Sequence, residues 1–111
     1  MIAIAEPTAR RKTPRRHSRL RFETLNAFVD TGMADLSRAE LAVWLILYRD
    51  TNRDGTARAS LDALARRGGM NRQTASRAVG RLARRKMLQV LRRGGLNCGP
   101  STYRIFPFRM E

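Results

Sequence analysis

The chain has 111 residues, enough for one domain and not for two, and 42% of them are hydrophobic, an ordinary share for a globular protein. Twenty-three Lys and Arg against nine Asp and Glu give a formal net charge of +14, so the fold either tolerates strong self-repulsion or meets a polyanion. A single cysteine, Cys98, excludes an internal disulfide and a cysteine zinc cluster, and the single histidine, His17, lies in the basic amino-terminal stretch, which argues against a histidine-based triad or metal site.

The distribution of charge says more than its sum. After Asp62 the next acid is Glu111, and twelve basic residues lie between them: Arg66, Arg67, Arg72, Arg77, Arg81, Arg84, Arg85, Lys86, Arg92, Arg93, Arg104 and Arg109. A GC-rich genome would explain why arginine outnumbers lysine, but not why the acids are missing, so one face of the fold is expected to be almost purely positive. No apolar run approaches the roughly 20 residues of a membrane span. The opening Met1-Ile2-Ala3-Ile4-Ala5 is too short for a signal peptide and lacks a preceding basic region, so the expected location is cytoplasmic, with the nucleoid.

Residues 1–21 carry Pro7, Pro14 and seven basic side chains without apolar periodicity, and are expected to form a flexible basic arm. Residues 22–111 are the expected folded domain. A short helix is predicted over 23–31, from Leu25, Phe28 and Val29 at helical spacing, with Gly32 in the left-handed position that closes it. Ser37-Arg38-Ala39-Glu40 is a capping box, flanked by Leu36 and Leu41 where a hydrophobic staple would form. The unbroken apolar run from 41 to 48 marks that helix as the buried spine of the core.

Asn52-Arg53-Asp54-Gly55 is a turn by composition. The segment from Asp50 also matches the opening of a calcium-binding EF-hand loop, but the twelfth position is Leu61 and the ninth is Arg58, so the turn is the better reading. A short strand over 56–59 is expected next. Ser60 then caps a helix over 61–67 that Gly68-Gly69 break, and Asn71 caps another running to about residue 86, with Ala75, Ala78, Val79 and Leu82 as its apolar stripe. Residues 88–93 and 102–106 alternate as strands, joined by a glycine-rich loop into a hairpin.

Two helices joined by a tight glycine-containing turn, over residues 60–86, have the spacing of a helix-turn-helix, which presents its second helix beyond the body of the protein. The outward residues there are Arg72, Gln73, Thr74, Ser76, Arg77, Arg81, Arg84 and Arg85. Arg and Gln match guanine and adenine edges, and the later arginines suit phosphates. Arg92, Arg93 and Asn97 on the hairpin, over residues 88–106, add a second positive element. In the arm, Arg10, Arg11, Lys12, Arg15, Arg16 and Arg19 are expected to touch nucleic acid, as arginine-rich arms do in minor grooves.

The stretch from residue 36 to 106 resembles the winged helix-turn-helix family of bacterial and phage DNA-binding domains. The resemblance rests on Ser60-Leu61-Asp62-Ala63-Leu64-Ala65, on Asn71-Arg72-Gln73-Thr74-Ala75-Ser76-Arg77 with Arg81-Leu82, and on Gly99-Pro100-Ser101-Thr102-Tyr103-Arg104-Ile105. The last is similar to the wing's return strand in replication-initiation proteins of phages and plasmids, and MarR- and GntR-like regulators share the fold. The resemblance implies a recognition helix in the major groove and a wing along the backbone or minor groove. Replication proteins of this kind carry a further domain, and none follows Glu111, so a transcriptional regulator or mobile-element accessory factor is expected over an origin-loading protein.

The fold expected is therefore mainly α with a small β-hairpin, non-enzymatic, without cofactor, metal or small-molecule ligand, and directed at double-stranded DNA. Nonspecific or RNA binding, and a winged helix that docks another protein, are the alternatives; few exposed aromatics count against unpaired bases. Oligomeric state stays open, with residues 20–33 the candidate dimer helix. Trp44 is expected in the core and Cys98 to be incidental, and Gly80 in mid-helix either admits close approach of another backbone or is tolerated.

Overall fold

The computed structural model describes residues 15–95 and 99–110. They form helices α1 (Arg15–Ala27) and α2 (Arg38–Asp50), strand β1 (Ala57–Ala59), helices α3 (Leu61–Gly68) and α4 (Arg72–Arg84), and strands β2 (Leu88–Arg92) and β3 (Ser101–Ile105). The protein is mainly helical with a small three-stranded antiparallel sheet, an arrangement compatible with a winged-helix-like fold.

The spine is α2. Both halves of its capping box form: Ser37 Oγ accepts from the Glu40 amide at 3.2 Å, and Glu40 Oε1 accepts from the Ser37 amide at 3.1 Å. The helix then buries Val43, Trp44 and Leu47 completely. Trp44 is sandwiched between Phe28 (ring centroids 3.6 Å apart) and Tyr48 (5.4 Å). Such aromatic pairs add about 0.5–1.5 kcal/mol each beyond their buried area. The Trp44 indole N–H donates to the Phe106 carbonyl at 2.9 Å, which pins the segment after β3 over the core.

The amino-terminal region departs from expectation. Residues 15–21, assigned to the flexible arm, belong to α1. Arginine is a good helix former, and a partner from α2 fixes the segment: Tyr48 Oη donates to the Arg21 carbonyl at 2.7 Å while the Arg21 guanidinium lies 4.5 Å from the centre of the same ring. The α-helix ends at Ala27 and continues as a π turn (Phe28–Gly32) and a 3₁₀ turn (Met33–Asp35). Gly32 is not left-handed; its φ is −91°. What it supplies is space, since a Cβ there would strike the Pro107 carbonyl oxygen and lie 2.8 Å from Met87 Cε.

Two sharp helix ends place α4. Ser60 Oγ accepts from the Ala63 amide at 3.0 Å and starts α3. Gly69, with φ +69°, closes it, and the amides of Gly69 and Met70 return to the carbonyls of Arg66 and Ala65, the double closure of a Schellman ending. Asn71 Oδ1 then accepts from the Thr74 amide at 2.7 Å, and α4 begins. Its buried stripe is the expected one: Ala75, Ala78, Val79 and Leu82. The helix stops at Arg84 instead of running to Lys86. Lys86 takes the left-handed position, φ 63°, and the Lys86 and Met87 amides close on Ala83 and Leu82.

The hairpin gains a third strand. β3 lies between β1 and β2, with Ala57 and Val90 both opposite Tyr103, whose side chain is buried. The strand order β1-β3-β2 closes the sheet against α2 and α4.

Candidate nucleic-acid interface

The buried stripe of α4 sets the roll of the helix, and the roll decides what faces outward. Arg72, Gln73, Ser76, Arg77, Arg81 and Arg84 are exposed. Arg77, Arg81 and Arg84 make no ion pair among the described residues, so their charge is available to solvent or to a partner. Thr74 is half-buried, and its backbone amide is occupied by the Asn71 cap.

Two of the expected contacts stand differently. Arg72 Nη1 is 3.1 Å from Asp62 on α3, with both side chains largely exposed. An exposed pair of this kind is held by no more than about 1 kcal/mol, so Arg72 can exchange Asp62 for another partner at little cost. Arg85, expected at phosphates, turns inward instead. Its Nε is buried and 3.2 Å from Glu40 Oε1. The approach is ionic and not a well-aligned hydrogen bond. Glu40 is 1% exposed, so Arg85 neutralises a buried carboxylate and is withdrawn from the outer face. The sequence hid this pairing because the capping box already accounted for Glu40.

A third pair ties α3 to the end of α2. Arg67 donates through Nη1 and Nη2 to the two Asp50 oxygens at 2.7 and 3.1 Å. The hydrogen bonds from Arg67 hold the Asp50 carboxyl below its ordinary pKa, and Asp50 raises that of Arg67 in return. In the turn before β1, Asp54 Oδ1 accepts from the amide and hydroxyl of Thr56 at 3.0 and 2.8 Å. These bonds lower its pKa too and make Asp54 a turn carboxylate.

The hairpin stands beside α4. Its pairing slips between Val90 and Arg92, a bulge at Leu91, and bulges bend a strand and re-aim its side chains. Arg92 and Arg93 follow the bulge and are exposed. The hairpin narrows at Gly94, where a Cβ would strike the Gly99 carbonyl oxygen; the Gly94 amide donates to Ser101 Oγ at 2.8 Å and the Gly95 amide to the Gly99 carbonyl at 3.1 Å. Between α4, the start of α3 and this neck lies a cleft of about 480 Å³, reached by Arg72, Ser76 and Gly80 from the helix and by Arg93 and Ser101 from the hairpin. Asp62 also lines it, a participant that in the sequence is merely the last acid before the basic stretch.

Asn97 and Cys98, and Arg10, Arg11 and Lys12 of the expected arm, lie outside the described residues. Arg15 and Arg16 fall in the first turn of α1, and Arg19 is exposed one turn later. α1 leaves Phe22 65% exposed and the π turn leaves Val29 51% exposed, while Phe28 is buried. Among the described residues no helix is long and apolar enough to cross a membrane. No family model matches this chain, and neither does any curated protein.

Proposed function

We propose that the protein is a winged helix-turn-helix that binds double-stranded DNA in a sequence-dependent way. On this reading α4 enters the major groove and the β2–β3 hairpin is the wing. The observation that carries it is the outer face of α4: Arg72, Gln73, Ser76, Arg77, Arg81 and Arg84 exposed together, beside Arg92 and Arg93 across the cleft. Gln73 and Arg77 offer the donor and acceptor pairs that base edges require; Arg81 and Arg84 farther along suit phosphates. The role is non-enzymatic, that of a regulator or mobile-element accessory factor acting at the nucleoid, and the basic residues before α1 add backbone contacts.

The test is selection from random duplex DNA at roughly physiological salt, followed by competition with scrambled duplex and single strands. An enriched motif with a preference of about a thousandfold or more supports the reading. A two-fold symmetric motif would add a second copy, packed through the exposed Phe22 and Val29 of the segment 20–33. Binding with a steep salt dependence and no motif would make the protein a nonspecific binder, and tighter binding to single strands or RNA would replace duplex DNA as the target.

A further inference from the structure

Gly80 sits in the middle of α4, where glycine weakens a helix, and the fold itself does not require it. Among the described residues, a Cβ at this position would meet nothing closer than Arg84 Nη1 at 3.7 Å, an ordinary contact with the far end of a flexible side chain. This differs from Gly32 and Gly94, where a Cβ would collide with neighbouring backbone. Gly80 also lies on the wall of the cleft between α4 and the hairpin, one turn beyond Ser76. The opposite wall carries Arg93 and Ser101. The missing side chain therefore widens a groove with cations and hydroxyls at its sides.

Resting on the duplex-DNA reading above, we propose that Gly80 is a positioning residue: its lack of a side chain lets one sugar-phosphate strand seat between α4 and the hairpin. Arg93 and Arg72 meet the strand's phosphates from the two sides, Arg72 leaving Asp62 to do so. Ser76 and Ser101 supply neutral donors. The depth at which the strand seats fixes how far the start of α4 reaches toward the bases, so position 80 governs base readout without touching a base.

The experiment compares wild type, Gly80→Ala and Gly80→Leu, each measured for thermal unfolding and for affinity on the motif that selection enriches. Gly80→Ala is expected to raise Tm by about 4–8 °C, because the helix gains a better former. The same substitution is expected to weaken DNA binding about tenfold, the size of a modest overpacking penalty, with Gly80→Leu weaker still. The salt slope should fall by about 0.9 for each phosphate the protein no longer neutralises. Opposite signs on stability and binding separate this role from a structural one, which would move both together. Unchanged affinity in both variants, with wild type binding well, overturns the inference and leaves the DNA reading standing. A lower Tm for Gly80→Ala overturns it too, since glycine would then be needed internally. Failure of wild type to bind duplex DNA overturns both readings.

Discussion

Arg85 looks in the sequence like one more cation at the end of a basic helix, and the structure gives it a different task. Replacing it with alanine removes the only side-chain cation near a carboxylate that is 1% exposed, among the described residues. Breaking a fully buried pair costs about 3–5 kcal/mol, because the surviving charge is left without compensation. Here the cost is smaller. Arg85 is itself 39% exposed, its contact is poorly aligned, and Glu40 keeps the Ser37 amide at 3.1 Å. A destabilisation of about 2 kcal/mol follows, close to that of a hydrogen bond to a charged group. Urea unfolding measures it as a shift in midpoint at constant slope. Glu40→Gln in the Arg85→Ala background should recover part of this stability, since a neutral amide still accepts from Ser37 and no longer needs a cation. DNA affinity of the folded Arg85→Ala protein should stay within about twofold of wild type, the scale of an untouched site. Stability unchanged by Arg85→Ala, or a drop in affinity as large as that of Arg81→Ala, would refute the assignment and return Arg85 to the outer face.

Gln73→Ala should cost about 1–3 kcal/mol on the preferred DNA site and relax discrimination there; equal weakening on preferred and scrambled duplex, in a competition titration, would remove Gln73 from base reading. The depressed pKa of Asp50 means that the unfolded chain takes up its proton first as pH falls. The contribution of the Asp50–Arg67 pair is therefore complete above the ordinary carboxylate value of 3.8 and fades below it, toward the lower folded value. Asp50→Asn should flatten the stability profile in that acid window and cost under about 1 kcal/mol at pH 7, as read by denaturant midpoints across pH. Lys86→Gly should stabilise the fold by about 1 kcal/mol, because Lys86 holds a left-handed backbone that glycine adopts freely; thermal unfolding reads this directly, and an unchanged or lower Tm would mean that the lysine side chain contributes more than its backbone costs.

What the sequence revealed was local. Ser37 with Glu40, Ser60, Gly69 and Asn71 act within a few residues of themselves, so their spacing alone predicts where α2, α3 and α4 begin and where α3 ends. The face of α4 was legible for the same reason, since four small or apolar residues at helical spacing fix which side is left over. What stayed hidden depended on distant partners. The helix over residues 15–21 is fixed by Tyr48, 27 positions away from Arg21. Gly32 is a glycine because Pro107 and Met87 crowd it, not because a helix needs a left-handed end. Arg85 is drawn off the expected interface by Glu40, across the core from another helix.

These ion pairs also bear on what the positive charge is for. Three of the acids before the basic half of the chain are matched to an arginine, Asp50 to Arg67, Glu40 to Arg85 and Asp62 to Arg72, while Asp54 is held by Thr56. The first two matches fasten α3 and the end of α4 to α2, which sets the position of α4, and they draw on cations away from its outer face. Exposed arginines without an ion pair among the described residues also lie elsewhere, at Arg38, Arg49, Arg53, Arg58 and Arg66, spread over several elements. Arg77, Arg81 and Arg84 on α4, with Arg92 and Arg93 on the hairpin, are likewise exposed and unpaired among the described residues, but they are grouped. Five like charges gathered on two adjacent elements repel one another and add nothing to folding. On the proposed reading, that grouped face is the one a polyanion would meet, and the exposed Arg72–Asp62 pair at its edge could be given up for it at little cost.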